Sequence, residues 1–406
     1  MSSPALTLFQ RGIRARNAIW ACFFLLGFLG LAWVPRIPEI KDSLGLSDGQ
    51  FGLLLLASTA GAVPGAQLAG RMVHMYSSKV VIQISGISMP IGVFVMGYAS
   101  NVPVLAVGLL ITGFSIPFID VAMNSQAVEI EKITQGRWMS SFHGLWSIGA
   151  FSATLFGGAV ARVMTPRQNL YLIAVLGLFA FLVAVHYLLP AELDGHLGEE
   201  GTTTESKIPL FGKSVIVLWA LGLGLICSLI PEGGAFEWSG ILLKDHMGIG
   251  KGLTAAAATT FSVAMIVSRL IGDKFFDMWG HVKTVRRGGI FGGTLWGLGL
   301  LIGIPLSHSH QLLGLVIVCL GFAAAGFGMG PFFPAFYLAA ASVPGIAPSV
   351  GLARVGIIAF GAYFAGPTLM GGIAEVASLP IAFIFPVALF FIVANQAKYI
   401  KVREIN

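Results

Sequence analysis

The sequence predicts an all-α polytopic membrane protein of twelve spans, built as two parallel repeats of six helices. Three observations carry that prediction. Of 406 residues, 56% are hydrophobic and only 10% charged, where soluble domains carry ~25% charged residues. Apolar stretches near the ~20 residues a bilayer requires recur along the chain, and none shows the alternating pattern of a barrel strand. Two loops also repeat in register: KDSLGLSDG at 41–49 matches KDHMGIGKG at 244–252, and HMYSSK at 74–79 matches DMWGHV at 277–282. The first pair follows spans one and seven and the second follows spans two and eight. Such parallel repeats place a transport site between the halves near the midplane.

Taken in order, Arg11, Arg14 and Arg16 precede an apolar run from Ala18 to Val34 that ends in PRIPEIK. It is too long for a signal peptide and lacks a small-residue cleavage site, so it reads as the first span. The twelve spans fall at 17–35, 50–74, 80–99, 103–130, 138–162, 168–189, 213–235, 253–275, 286–306, 311–340, 349–374 and 379–397. Between the sixth and seventh, ELDGHLGEEGTTTESK holds five of the 18 acids without periodicity, the composition of a solvated linker. The expected division is therefore a first half at 1–190, a cytoplasmic linker at 191–212 and a second half at 213–406.

With the N-terminus inside, sixteen of the 24 Lys and Arg lie on inward segments, so both termini are expected in the cytoplasm. The pI of 9.3 then reflects topology, and no nucleic-acid partner is expected. Cys22, Cys227 and Cys319 sit in apolar spans and read as small core residues, with no disulfide or metal spacing. Most of the 53 glycines lie inside spans, where small residues let membrane helices approach closely.

Span four carries the most informative residue. Asp120 lies inside an apolar run, where a carboxylate costs roughly 3 kcal/mol or more and must face protein or a wet cavity. Asn124, four residues on, shares its helix face, and Pro117 just upstream predicts a bend. Asp120 reads either as an acid that glues helices together or as a proton- or substrate-binding group in a transport cavity. Span seven contains IPEGGAFEWSG, in which Pro231, Gly233 and Gly234 are expected to break the helix between Glu232 and Glu237. Trp238 reads as a ring that stacks on a solute or as an interfacial belt residue. His143, one turn into span five, suits a proton relay or a hydrogen-bonded core position. Arg354, inside span eleven, needs a counter-ion or a carbonyl cluster, with Asp120 and Glu129 the acids at comparable depth.

The full length resembles the major facilitator superfamily: twelve spans, a 6+6 repeat, an acidic central linker and short basic loops after spans two and eight. Against the superfamily loop pattern G-x-x-x-D-R-x-G-R-R, the second copy keeps Asp277 and Gly280 but has Met278 for the arginine. The first copy keeps Gly70 and Lys79 but has His74 for the acid and Ser77 for the glycine. WVPRIPEIKDSLGLS, FIDVAMNSQAVEIE, MSSFHGLWSIG and PEGGAFEWS further resemble the branch around fucose-type sugar:proton symporters and a related bacterial inner-membrane group. The resemblance implies that spans one, four, seven and ten line the cavity, and that the protein sits in a bacterial-type inner membrane.

The expected function is proton-coupled secondary transport of a small polar, sugar-like solute by alternating access. The alternatives are export of an amphipathic metabolite or drug by proton antiport, or a non-transporting sensor or lipid-handling protein of the same fold. No nucleophile–base pair, metal cluster or phosphate loop points to an enzyme. No cofactor is expected beyond the proton gradient, the expected partners are solute, protons and the lipid bilayer, and a monomer is expected to suffice. Asp120, His143 and Glu232 are the candidate proton-coupling residues. Asn124, Trp33, Trp146, Glu237 and Trp238 are the candidate solute-binding residues, and Arg36, Arg354 and Asp277 the candidate gating residues. Arg36, at the outer end of span one, is expected to approach Glu232 or Glu237 when the outer side closes.

Overall fold

The computed structural model describes residues 7–136, 138–195, 213–344, 346 and 348–400, so most of the central linker lies outside the described residues. Ten helices among them are long and apolar enough to cross a membrane. With the shorter apolar stretch Ala256–Gly272 and the helix Met139–Val160, every expected span has its helix. By contacts the chain divides into Met1–Leu44 with Ala57–Thr202, and Gly45–Leu56 with Thr203–Asn406.

The first unit contains α1 (Leu8–Gly30), α2 (Ile37–Ser43), most of α3 (Asp48–Tyr76), α4 (Ser78–Tyr98), α5 (Val102–Thr134), α6 (Met139–Val160) and α7 (Pro166–His186). Local signals fix the helix starts. Thr7 with Gln10, and Thr165 with Gln168, form reciprocal capping boxes on α1 and α7. Asn101 caps α5 with its side chain. Glycine then sets how closely the helices pack. A Cβ placed on Gly27 of α1 would lie 2.1 Å from the Trp146 carbonyl oxygen, and one on Gly149 of α6 would lie 2.1 Å from that of Phe24. The two backbones touch because neither position carries a side chain.

The start of the linker is fastened to this unit. After α7 the chain makes a 3-10 turn at Ala191–Leu193. Fully buried Gln126 on α5 clasps Leu189, donating from Nε2 to its carbonyl at 3.0 Å and accepting its N–H at 3.2 Å. Fully buried Asp194 accepts both the N–H of Ser78 at 2.8 Å and its hydroxyl at 2.6 Å, at the start of α4. A carboxylate there also meets the positive end of the helix dipole. The polar linker expected from 191 thus begins as a strap across the ends of α4 and α5.

The second unit contains the first turns of α3, then α8 (Lys213–Gly233), α9 (Ser239–Ile241), α10 (Ala256–Ser307), α11 (Gln311–Met329), α12 (Phe332–Ala341), α13 (Pro348–Ala359), α14 (Gly361–Val376), α15 (Leu379–Ala382) and α16 (Ile384–Gln396). α10 joins spans eight and nine across a bend at Gly280 (φ 72°, ψ 160°). Fully buried Trp296 anchors the core, edge-on to Phe322, Phe383 and Phe390 at 5.1, 6.0 and 5.7 Å. The head of α3 seats here as well: the Gly49 N–H donates to Glu375 Oε2 at 2.8 Å, and a Cβ on Gly52 would lie 2.5 Å from the Pro367 carbonyl oxygen.

The repeat read from the loops is also written in the backbone. Gly45 and Gly248 have φ of 62° and 64°, and Ser77 and Gly280 have φ of 103° and 72°. Each pair occupies corresponding positions of the two repeated loops. At the second pair the first copy carries a side chain where positive φ favours glycine.

Candidate functional site

In the first unit the chemistry gathers on α5 and α6. Asn124 donates from Nδ2 to the Asp120 backbone carbonyl at 2.8 Å and to its carboxylate Oδ1 at 3.2 Å. The expected shared face is therefore a bonded pair. The His143 imidazole of α6 lies within electrostatic reach of the same carboxyl. It is exposed on one side and meets Phe23 of α1 edge-on at 5.1 Å on another. α5 stays helical through Pro117, which has no N–H to give the Gly113 carbonyl four residues back. An ionisable acid, an amide and an imidazole thus converge inside a membrane unit, a grouping able to bind a proton and a polar solute.

The other first-unit candidates are Arg36, Trp33 and Trp146. Arg36 is fully buried, pairs through Nε with Glu39 at 2.9 Å and donates from Nη2 to the Met164 carbonyl at 2.7 Å. The guanidinium is thus held within its own unit by an acid one turn along the chain and a backbone carbonyl. Trp33 is buried at the end of span one. Trp146 is half-buried, with its backbone carbonyl against Gly27.

In the second unit, the helix break expected at Pro231, Gly233 and Gly234 does not occur. α8 includes Pro231 and Gly233, and the chain then widens into π turns at Gly234–Trp238 and Leu242–His246. Pro231 itself has no N–H to give the Cys227 carbonyl four residues back. Glu232 lies within electrostatic reach of Arg269 on α10. Glu237 sits in the first π turn, partly accessible. Trp238 is fully buried, edge-on to Phe51 at 5.2 Å. Its indole N–H is buried without a hydrogen-bond partner among the described residues.

Arg354 has a buried Nε without a hydrogen-bond partner among the described residues. The expected acids are engaged elsewhere, Asp120 with Asn124 and Glu129 with Lys132 at 2.6 Å. Asp277 is exposed beside the Gly280 bend, where Arg287 lies 4.4 Å over the Trp279 ring.

Two residues were missed in the sequence. Arg16 lies against the indoles of Trp20 and Trp138, 4.4 and 4.5 Å from their ring centroids, the two rings standing edge to face; its i, i+4 spacing to Trp20 was a legible signal. Glu131 caps α6 by accepting the backbone N–H groups of Trp138 and Met139, and nothing local announces that.

Comparison with known proteins agrees with this architecture. The family model described as Major Facilitator Superfamily matches residues 19–350. An uncharacterized MFS-type transporter of Yersinia pestis is 28% identical over 392 residues, covering 96% of each chain. An uncharacterized transporter of Sinorhizobium fredii is 30% identical over 374 residues, covering 92% of this chain and 94% of that one. Among solved structures, the nucleoside transporter NupG superposes with a TM-score of 0.74 at 13% identity, over 95% of this chain and 100% of that one. A D-xylose-proton symporter superposes with a TM-score of 0.72 at 12% identity, over 97% and 98%. A family match over most of the length, on a twelve-span repeat, makes this chain a membrane transporter of the major facilitator superfamily and not an enzyme.

Proposed function

We propose that the protein is a proton-coupled secondary transporter that takes up a small polar, sugar-like solute by alternating access, with Asp120 as its proton-carrying group. The observation that carries this reading is the Asp120–Asn124 pair with His143 in electrostatic reach. An acid kept inside a span at such cost reads as functional, and the amide and imidazole give it a route for solute and proton. Glu232, facing Arg269, and Glu237 are the second unit's contribution, the latter as an acceptor for solute hydroxyls. The D-xylose-proton symporter and the nucleoside transporter share the fold, and both of those proteins' named solutes contain a sugar ring.

The test is uptake into proteoliposomes under an imposed pH gradient, with D-xylose and uridine among a panel of labelled solutes. Wild type is expected to accumulate solute uphill in the direction of proton flow. Asp120→Asn is expected to lose accumulation at least tenfold while retaining solute exchange without a gradient. Full accumulation by that variant would refute the assignment of Asp120, and uphill flux against the proton flow would make the protein an antiporter.

A further inference from the structure

A cavity of about 370 Å³ lies between α4 and α7 of the first unit, separate from the Asp120 cluster. Its floor exists because residue 86 is glycine. A Cβ there would lie 3.1 Å from the Phe181 Cβ, so the two helices close up and leave a trough beside them.

The lining is polar at one end and apolar along the rest. Lys79 and His186 stand at the mouth, in the first turn of α4 and at the last residue of α7. Gln83 is one turn deeper, and Ile87 and Leu182 form exposed apolar walls, 44% and 54% accessible. From Lys79 to Ile87 the trough descends about 12 Å at 1.5 Å per residue. Neither Lys79 nor Gln83 has a hydrogen-bond or ion-pair partner among the described residues, and no acid lines the cavity. Tyr187, edge-on to His186 at 5.1 Å, adds an amphipathic ring beside the mouth.

A cation at the mouth of an apolar trough between two membrane helices fits one ligand better than a free anion. Inorganic phosphate would use Lys79 and leave the apolar walls unmatched, whereas a phospholipid meets both. The lysine excess places this end at the cytoplasmic surface, where anionic lipids concentrate. We propose that the groove is a binding site for an anionic phospholipid of the inner leaflet, with its phosphate at Lys79 and His186 and an acyl chain along Ile87 and Leu182.

The site is tested on the purified full-length protein, by counting retained lipids in native mass spectrometry and by thermal unfolding. Phosphatidylglycerol, phosphatidylcholine and inorganic phosphate are the probes. Phosphatidylglycerol is expected to stay bound and to raise the melting temperature, while the other two do neither. Lys79→Gln is expected to weaken phosphatidylglycerol binding at least fivefold, and Lys79→Arg to retain it. Ile87→Asn is expected to weaken it by removing the apolar wall. Arg71→Gln, an exposed cation that does not line the groove, is expected to leave binding unchanged. Equal binding by Lys79→Gln, an equal loss in Arg71→Gln, or equal protection by inorganic phosphate would each overturn the proposal.

Discussion

The contact between α1 and α6 gives a prediction whose size can be worked from the backbone. At Gly27 an added methyl would sit 2.1 Å from the Trp146 carbonyl oxygen and 2.9 Å from the Ala150 nitrogen. Non-bonded carbon and oxygen keep about 3 Å apart, so the two helices must part by about 1 Å to admit Gly27→Ala. Overpacking of this kind costs about 1–3 kcal/mol, and the upper part of that range applies because both obstructing groups are main chain. Removing a helical glycine returns about 0.4–1 kcal/mol. The net loss is about 1–2 kcal/mol, or several degrees of melting temperature at roughly 2–4 °C per kcal/mol for a unit of this size. Gly144, also on α6, has nothing within 4 Å of its added Cβ. Gly144→Ala should therefore raise the melting temperature by a degree or two, through the propensity gain alone. Thermal unfolding of both variants in one detergent, followed by tryptophan fluorescence, makes the comparison. A Gly27→Ala protein as stable as Gly144→Ala would show that the helices do not meet at this distance.

Two further predictions concern the other end of the first unit. Ser77 holds φ 103° and ψ 154°, a region of about 1–3 kcal/mol strain for any residue but glycine. Its capping bond to the Val80 N–H is long at 3.4 Å, so Ser77→Gly should be net stabilising by about 1 kcal/mol; a lowered melting temperature would refute the strain. Gln126→Leu keeps the volume but leaves the Leu189 N–H and carbonyl buried without their partner, at about 1–3 kcal/mol each. Hydrogen exchange in residues 187–195 should accelerate at least tenfold, and unchanged exchange would mean the clasp holds nothing.

The spans were legible because twenty apolar residues in a row have few alternatives, and the repeat was legible because its first pair of loops kept its glycines. The partners of single charges were not. The partner that Arg36 has here, Glu39, lies three residues away, and helical spacing through PRIPE already offered it. Trp238 read as a solute-stacking ring or an interfacial belt residue. Its burial against Phe51 depends on a helix nearly two hundred residues distant, which no local pattern carries. Pro231 was read as a break because a proline removes a donor; whether the chain breaks or widens depends on what surrounds it. Asp120 with Asn124 was readable because a four-residue spacing on one helix leaves the geometry little freedom.

The strap formed by Gln126, Leu189 and Asp194 also changes where one half of this transporter ends. Doubled folds of this kind are commonly imagined as a duplicated unit joined by a dispensable tether, with the seam where polarity begins. Here the seam runs later. A first half cut at Pro190 would strand the Ser78 N–H and hydroxyl without their acceptor, whereas one cut after Gly195 keeps them satisfied. Through Asp194, a stretch that looks like spacer is bonded to the first half. Any exchange of halves between relatives, in the laboratory or in evolution, would have to carry it along with α7.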